Sequence, residues 1–285
     1  MLAYRHAFHA GNHADVLKHL VLAEVLRAMT AKPKPFAMID THAGAGGYSL
    51  EGRYAQTNAE HESGISRLWT AADLPPALAR YVELVRRFNG GGRRLEQYPG
   101  SPSIASMLLR PTDPLHCYEL HPTDERILRA ALVQHPLAKV TLGDGFAALE
   151  RELPPPSRRG VLLIDPSYEL KTDYARTLGA VREALVRFAS GVVLVWIPRV
   201  ALVEARELPR RIGNAAAAAP KGYLHASLTV ARPAGGRGLG MTGSSMVVVN
   251  PPHELADTLS QTLPTLARLL AQFDGASHQL ELHLR

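Results

Sequence analysis

The chain has 285 residues, 46% of them hydrophobic and 20% charged, which is the composition of a soluble globular protein with one large domain or two small ones. Its single cysteine, Cys117, excludes an internal disulfide framework and a cysteine-rich zinc site. No apolar stretch is long enough to cross a bilayer, and the polar N-terminus, residues 1–6, lacks the apolar core of a signal peptide, so we expect a cytoplasmic protein without a membrane partner.

The basic excess is modest and consists mostly of arginine. The formal net charge is +6 at pH 7 and the isoelectric point is about 9.6, which suits a nucleic-acid partner. Only six of the 32 basic residues are lysines, and arginine binds phosphate and stacks on bases better than lysine does. A GC-rich genome, which favours arginine codons, would produce the same ratio, so the charge by itself does not identify the partner.

The first predicted elements are a helix and a strand. Apolar residues at helical spacing predict a helix over 12–31, with Asn12 as its N-cap. An apolar run predicts a strand at 36–40, and the small residues of 41–47 follow it directly. Glycines at that point let the backbone approach a ligand closely.

Strands and helices then alternate. Further strands are expected at 115–119, 139–142, 161–165 and 191–196, separated by helices at about 103–110, 122–134, 145–152 and 172–189. This alternation predicts an α/β fold with a mainly parallel sheet and helices on both faces.

Two regions depart from the alternation. Residues 52–98 show helical patterns but no convincing strand, so we expect a small helical insertion at 52–98 in a domain made of 1–51 and 99–285. Residues 223–230 and 245–250 are β-rich and are separated by a glycine-rich loop, which predicts an antiparallel addition at the sheet edge. A helix over about 253–273 and a short C-terminal strand complete the chain.

Four acidic residues follow successive predicted strands: Asp40, Glu119, Asp144 and Asp165. A carboxylate at Glu119 can take both ribose hydroxyls of an adenosine-containing cofactor, and Asp144 can meet its adenine amine. One strand-end acid is commonplace, but four in order match the layout of S-adenosylmethionine-dependent methyltransferases better than four unrelated turns.

A dinucleotide site is disfavoured. Gly44-Ala45-Gly46 lacks the third glycine of G-x-G-x-x-G, and the acids at the right distance, Glu60 and Glu62, lie in no predicted strand. These two departures argue against an NAD or FAD enzyme.

The segment Asp165-Pro166-Ser167-Tyr168 carries the candidate chemistry. The Asp165 carboxylate and the Pro166 carbonyl, side by side after a buried strand, can accept both hydrogens of an exocyclic amine, and Tyr168 can stack on a flat heterocycle. An amino-group methyltransferase acting on a nucleobase needs this arrangement, and an amine needs no cysteine nucleophile. The alternative is an ordinary strand and turn with a packed tyrosine.

The N-terminal segment is rich in histidine. His6, His9, His13 and His19 lie within the first 20 residues, but no cysteine or His-Glu-x-x-His pattern supports a metal site, and we expect none. A polar lid over the cofactor, with Lys18 and His19 reaching its carboxylate, is the preferred interpretation. For any single histidine, a surface or capping role is the alternative.

The chain resembles the RlmJ family of bacterial 23S rRNA adenine-N6 methyltransferases. The most specific segment is Tyr4-Arg-His-Ala-Phe-His-Ala-Gly-Asn-His-Ala-Asp-Val-Leu-Lys-His19. The others are 40–46, 98–102, 119–122, 144–145, 157–160, 171–174, 240–242 and 250–252, so the resemblance extends from the first residue to about 252. The family motif is Asp-Pro-Pro-Tyr, and Ser167 replaces its second proline here. Because one fixed φ angle is lost, we expect an effect on the rate more than on the reaction class.

The resemblance implies a Rossmann-like class I methyltransferase fold with a small helical insertion, which agrees with 52–98. It implies that the cofactor is S-adenosylmethionine and the product S-adenosylhomocysteine. The implied partner is 23S rRNA, either protein-free or in an early assembly intermediate, and we expect the protein to act as a monomer. The implied catalytic residues are Asp165, Pro166, Tyr168 and Tyr4. Tyr168 would stack on the target adenine, and Tyr4 would border the substrate pocket. The implied cofactor-binding residues are Lys18, His19, His42, Ser101, Glu119, Asp144, Gly145 and Asp165.

The predicted function is methyl transfer from S-adenosylmethionine to N6 of an adenine in 23S rRNA. A DNA adenine-N6 methyltransferase would use the same base chemistry, although no separate sequence-reading domain is visible. A catalytically weak nucleic-acid-binding protein with a methyltransferase fold is the other alternative, and Ser167 is the only hint of it. The sequence does not identify the modified nucleotide.

Overall fold

The computed structural model describes residues 6–52, 57–232 and 240–285. Tyr4, assigned to the substrate pocket by resemblance, lies outside the described residues, as do 234–239 of the glycine-rich loop. In these three ranges no helix is long and apolar enough to span a membrane.

The described residues form ten strands: β1 Ala37–Asp40, β2 Gly47–Ser49, β3 Gln97–Pro99, β4 Leu115–Glu119, β5 Ala138–Leu142, β6 Gly160–Ile164, β7 Val192–Arg199, β8 Gly222–Thr229, β9 Gly243–Val249 and β10 Ser277–Leu284. Eight of them make one sheet in the order β10-β8-β9-β7-β6-β1-β4-β5. The five strands from β7 to β5 run parallel, and β9, β8 and β10 are antiparallel. The predicted parallel sheet with an antiparallel edge is confirmed.

Helices cover both faces of this sheet, which is why its central strands are apolar throughout. All five residues of β6 and all seven of β9 are buried. The helices are His13–Thr30 (the N-terminal helix), Ile65–Trp69, Pro76–Phe88, Ser101–Leu108, Pro122–Ala131, Gly145–Glu152, Thr172–Arg187, Val203–Ala215 and Leu255–Leu270.

A local signal sets the start of the N-terminal helix. The side chain of Asn12 accepts hydrogen bonds from the backbone N–H groups of Ala14 and Asp15, at 2.9 and 3.0 Å, as a helix N-cap does. The helix Val203–Ala215 is an addition to the predicted elements. It contains Pro209, a residue that normally interrupts a helical pattern.

The region between the first two sheet strands is enclosed by a small antiparallel pair. Strand β2 pairs with β3, so the chain leaves and returns at the same place. The helices Ile65–Trp69 and Pro76–Phe88 lie between them, as predicted, and the strand at Gln97–Pro99 is new. Ile65 and Tyr81 belong to the same hydrophobic cluster as the N-terminal helix. The division into a domain and an insertion at 52–98 stays a prediction.

Candidate active site

A cavity of about 530 Å³ lies where the parallel strands end. Its walls include eight of the predicted site residues: Lys18, His19, His42, Ser101, Glu119, Asp165, Pro166 and Tyr168. Carboxyl ends of parallel strands meet at one edge of a sheet, so residues far apart in the sequence converge there. The N-terminal helix crosses this edge and contributes Lys18 and His19.

Lys18 lies between two carboxylates. Its Nζ is 2.9 Å from Oδ1 of Asp15 and 2.6 Å from Oδ2 of Asp165. The Lys18 and Asp165 side chains are only 6% and 13% exposed, so each charge depends on its partner for solvation. Burial alone would lower the pKa of Lys18, but Asp15 and Asp165 hold it well above its usual value. The lysine is therefore charged.

Asp15 anchors the segment that precedes the N-terminal helix. Its Oδ2 accepts a hydrogen bond from the Gly11 N–H at 3.0 Å and lies 2.8 Å from His6 Nε2. Burial favours the neutral acid, but His6 and Lys18 keep the pKa of Asp15 well below its usual value. Sequence reasoning assigned no role to Asp15. An acid in the first turn of a capped helix, three residues before Lys18, was the available signal.

The Asp165-Pro166 step presents two adjacent acceptors. Lys18 occupies Oδ2 of Asp165, while Oδ1 of Asp165 and the carbonyl of Pro166 receive no hydrogen bond from any described residue. Burial raises the pKa of Asp165, and the neighbouring Lys18 opposes that rise. The segment can therefore accept two hydrogen bonds from a bound molecule.

An aromatic wall flanks these acceptors. The Tyr168 hydroxyl donates to the Trp196 carbonyl at 2.8 Å, and its ring centroid lies 4.6 Å from that of Tyr174. The φ of Tyr168 is +55°, an unusual value for an aromatic residue that the surrounding contacts must maintain. Trp196 was missed as a site residue. It lies in the wall because β7 ends beside β6, with Val195 opposite Ile164.

Glu119 joins the end of β4 to the glycine loop after β1. Its two carboxylate oxygens accept the backbone N–H groups of Gly44 at 2.8 Å and His121 at 2.6 Å. Gly44 has φ of +62°, which a residue with a side chain rarely adopts. Burial raises the pKa of Glu119. This carboxylate faces the cavity from the position predicted for a ribose-binding acid.

Asp40 and His42 lie beneath the same loop. Asp40 accepts a hydrogen bond from the Ser101 hydroxyl at 2.7 Å and one from the His42 N–H at 3.3 Å. Burial raises the pKa of Asp40 to about 7 and lowers the pKa of His42 to about 4. His42 is therefore neutral at pH 7, and it lines the cavity as a polar but uncharged group.

Asp144 and Gly145 adjoin the cavity without lining it. Asp144 caps the helix Gly145–Glu152 by accepting the Phe146 N–H at 2.9 Å, and its other oxygen forms an ion pair with Arg176. A Cβ at Gly145 would lie 2.1 Å from the Thr41 carbonyl oxygen, so only glycine permits this approach to the loop after β1.

Two of the four N-terminal histidines, His6 and His9, pair with acids. His9 Nδ1 lies 2.8 Å from Glu60 Oε1, and His6 pairs with Asp15 as described. Among the described side chains, no group of three or more His, Cys, Asp or Glu residues is placed to hold a metal ion.

Comparison with known proteins gives the family. A family model described as "Ribosomal RNA large subunit methyltransferase D, RlmJ" matches residues 33–281. Two proteins named "Ribosomal RNA large subunit methyltransferase J" are similar: that of Escherichia coli (strain K12) is 44% identical, over 93% of each chain, and that of Haemophilus influenzae is 42% identical, over 99% of this chain and 98% of its own.

A solved structure has the same fold. The crystal structure of protein LPL1258 from Legionella pneumophila is 32% identical, covers 96% of this chain and 98% of its own, and superposes with a TM-score of 0.86. The predicted Rossmann-like methyltransferase fold and the resemblance are both confirmed. The chain belongs to the RlmJ family of ribosomal RNA large subunit methyltransferases.

Proposed function

We propose that this protein transfers a methyl group from S-adenosylmethionine to the N6 amine of an adenine in 23S rRNA. The observation that carries the proposal is the adjacent pair of acceptors, Asp165 Oδ1 and the Pro166 carbonyl, in the wall of the cavity. An exocyclic amine has two hydrogens, and these two oxygens match them. Family membership supports ribosomal RNA of the large subunit as the substrate.

The donor and acceptor groups around the cavity fit S-adenosylmethionine. Glu119 offers a carboxylate for the ribose hydroxyls, and Lys18 with His19 offers cationic and N–H groups for a carboxylate. A volume of about 530 Å³ is in the ordinary range for a small-molecule site. When bound, S-adenosylmethionine supplies a methyl group attached to a positively charged sulfur. Asp144 already pairs with Arg176, so the adenine amine would share this carboxylate with the guanidinium group.

Three residues at the acceptors have roles in this proposal: Asp165, Pro166 and Lys18. Asp165 and the Pro166 carbonyl hold the amine so that its lone pair leaves conjugation with the ring. Lys18 favours the ionised form of Asp165, which is the stronger acceptor. The carbon–sulfur bond would break as the carbon–nitrogen bond forms, with S-adenosylhomocysteine as the leaving group. No strong base is required, because the methylated nitrogen is acidic and would lose its proton to water. Positioning and electrostatics supply the acceleration.

The target base must leave its stack to bring its amine to acceptors in the wall of this cavity. The Tyr168 ring lines the cavity, and we propose that it stacks on the adenine, with Trp196 forming the adjacent wall. Tyr4, outside the described residues, would border the same pocket. We further propose that the protein acts as a monomer in the cytoplasm and needs no metal. Its substrate would be protein-free rRNA or an early assembly intermediate.

The test combines a variant with substrate mapping. Asp165→Ala should abolish tritiated-methyl transfer to protein-free 23S rRNA while calorimetry still detects S-adenosylmethionine binding. Glu150→Ala, at an exposed acid that does not line the cavity, is the control and should remain active. Mass mapping of the product should locate N6-methyladenosine.

Three results would contradict the proposal. Near-normal turnover by Asp165→Ala would refute the role of the acceptor pair. Methylation of DNA in preference to rRNA would favour the DNA methyltransferase. Binding without turnover by the wild-type protein would favour the catalytically weak nucleic-acid-binding alternative.

A further inference from the structure

Three buried rings link the cavity to the insertion. His19 Nδ1 lies 2.8 Å from the Tyr98 hydroxyl, which lies 2.6 Å from the Tyr81 hydroxyl. The exposed fractions are 1% for His19 and 0% for both tyrosines, so the three rings are buried. Tyr98 belongs to β3 and Tyr81 to the helix Pro76–Phe88, whereas His19 lies in the wall of the cavity.

His19 holds a single ring proton. Burial lowers its pKa well below the usual value, and the nearby positive charge of Lys18 acts in the same direction, against Asp15. The ring is therefore neutral, and either Nδ1 or Nε2 carries the proton. Which nitrogen is protonated decides whether His19 offers the cavity a donor or an acceptor.

The two tyrosines decide between these tautomers. Were Nδ1 protonated, it would donate to Tyr98, Tyr98 would donate to Tyr81, and the Tyr81 proton would need an acceptor. No other described residue lies within hydrogen-bond distance of the Tyr81 hydroxyl. In the opposite direction Tyr81 donates to Tyr98, Tyr98 donates to Nδ1, and every proton of the chain is used. A buried donor without a partner is costly, so the second arrangement is favoured.

We propose that Tyr98 is a positioning residue that fixes His19 as its Nε2-protonated tautomer, so that the ring presents an N–H donor to the carboxylate of S-adenosylmethionine. The identity of this ligand rests on the proposed function. The described residues give Nε2 no hydrogen-bond partner, and Nδ1 is taken by Tyr98, so Nε2 is the nitrogen left for a bound molecule. In this proposal, residues of the 52–98 segment set the tautomer of His19 at the cofactor site through hydrogen bonds to the histidine.

The first experiment needs no ligand and no variant of the tyrosines. Long-range ¹H–¹⁵N correlation spectra of the full-length wild-type protein distinguish the two neutral tautomers, and His19→Gln assigns the signals. We expect a protonated Nε2 and an unprotonated Nδ1 that accepts a hydrogen bond. A protonated Nδ1 would overturn the proposal.

The second experiment measures binding by calorimetry. Tyr98→Phe should weaken S-adenosylmethionine binding by about tenfold, the usual size of one hydrogen bond. Binding of 5′-methylthioadenosine, which lacks the amino-acid portion, should not change. Tyr81→Phe is the matched control: Tyr98 keeps its proton for Nδ1, so the tautomer and the affinity should be retained.

The outcomes are separable. Equal losses for both ligands in Tyr98→Phe would mean a purely structural role and would overturn the proposal, as would an altered tautomer in Tyr81→Phe. A wild-type protein that binds no S-adenosylmethionine would refute the proposed function and the ligand named here, whereas the spectra decide the tautomer by themselves.

Discussion

The Nζ of Lys18 lies 2.6 Å from Oδ2 of Asp165, a residue 147 positions later in the chain. This contact joins the N-terminal helix to the loop after β6 and leaves the other oxygen of Asp165 available to a ligand. Because Asp165 is buried, its ionisation depends on this lysine. The helix therefore favours the ionised form of the carboxylate to which we assign the chemistry.

Lys18→Met should impair methyl transfer most strongly at acidic pH. Burial already raises the pKa of Asp165 and Lys18 opposes the rise, so without Lys18 the pKa rises further. The ionised carboxylate is the stronger acceptor, and protonation turns one of its oxygens into a donor, so activity should fall as the pH falls through this pKa. The acid limb of the rate profile should therefore move to higher pH. Single-turnover rates between about pH 5 and pH 9 measure the shift.

Lys171→Met, at an exposed lysine, is the control for the loss of one positive charge. Lys18→Met should also lower the free energy of unfolding by roughly 3–5 kcal/mol, because it removes the cationic partner of the buried Asp165 and one of the partners of Asp15. Superimposable profiles for wild type and Lys18→Met would show that Lys18 does not govern the ionisation of Asp165.

Glu119→Ala should weaken S-adenosylmethionine binding by roughly 1.5–3 kcal/mol, the usual contribution of hydrogen bonds to a charged group. The loss has two sources, because the ribose hydroxyls lose an acceptor and the Gly44 N–H loses its partner. Calorimetry measures the affinity, with the exposed Glu150→Ala as control. Unchanged affinity in a folded variant would remove Glu119 from the cofactor site.

Ser167→Pro should change the single-turnover rate by less than about tenfold, or 1.4 kcal/mol in the barrier. The Ser167 N–H donates to no described residue, so proline removes no hydrogen bond seen here. The substitution should raise stability by roughly 0.4–1 kcal/mol, mostly through the unfolded state. An inactive wild type rescued by this change would instead indicate a chain that had become a binding protein.

Asp40→Asn should remove a pH dependence of stability. Burial raises the pKa of Asp40 to about 7, above its unfolded value, so the folded protein holds this proton more tightly. The stabilisation is complete below about pH 4 and is lost as the pH rises to about 7, up to an upper limit of about 4 kcal/mol. Asparagine mimics the protonated acid and avoids this loss.

Urea unfolding at several pH values measures the difference in stability between Asp40→Asn and wild type. The difference should grow in favour of the variant up to about pH 7 and then level off. Asp274→Asn, at an exposed position, should show no such trend. A difference independent of pH would mean that Asp40 has the same pKa in the folded and unfolded protein.

Much of the fold could be predicted because it depends on neighbours in the sequence. The cap at Asn12, the apolar run before Asp165 and the acids after β1, β4 and β6 are local patterns, and each has a direct structural cause. Parallel strands bring their carboxyl ends to one edge, so the convergence of Asp40, Glu119 and Asp165 followed from the topology. The candidate site was predictable to this extent.

The side-chain contacts within the site depend instead on how the helices pack against the sheet. The contacts of Lys18 with Asp165, of His19 with Tyr98 and of Arg176 with Asp144 join segments 32 to 147 positions apart. No periodicity encodes which side chains meet across such a distance, since the relative placement of the elements decides it.

The sequence by itself therefore determined the α/β class, the family and the acids at the strand ends, because short-range patterns specify them. The tertiary structure alone decided which charge neutralises Asp165 and which hydroxyl orients His19. Those choices come from burial, which forces every charge and every polar hydrogen to find a partner among the groups that packing brings within reach.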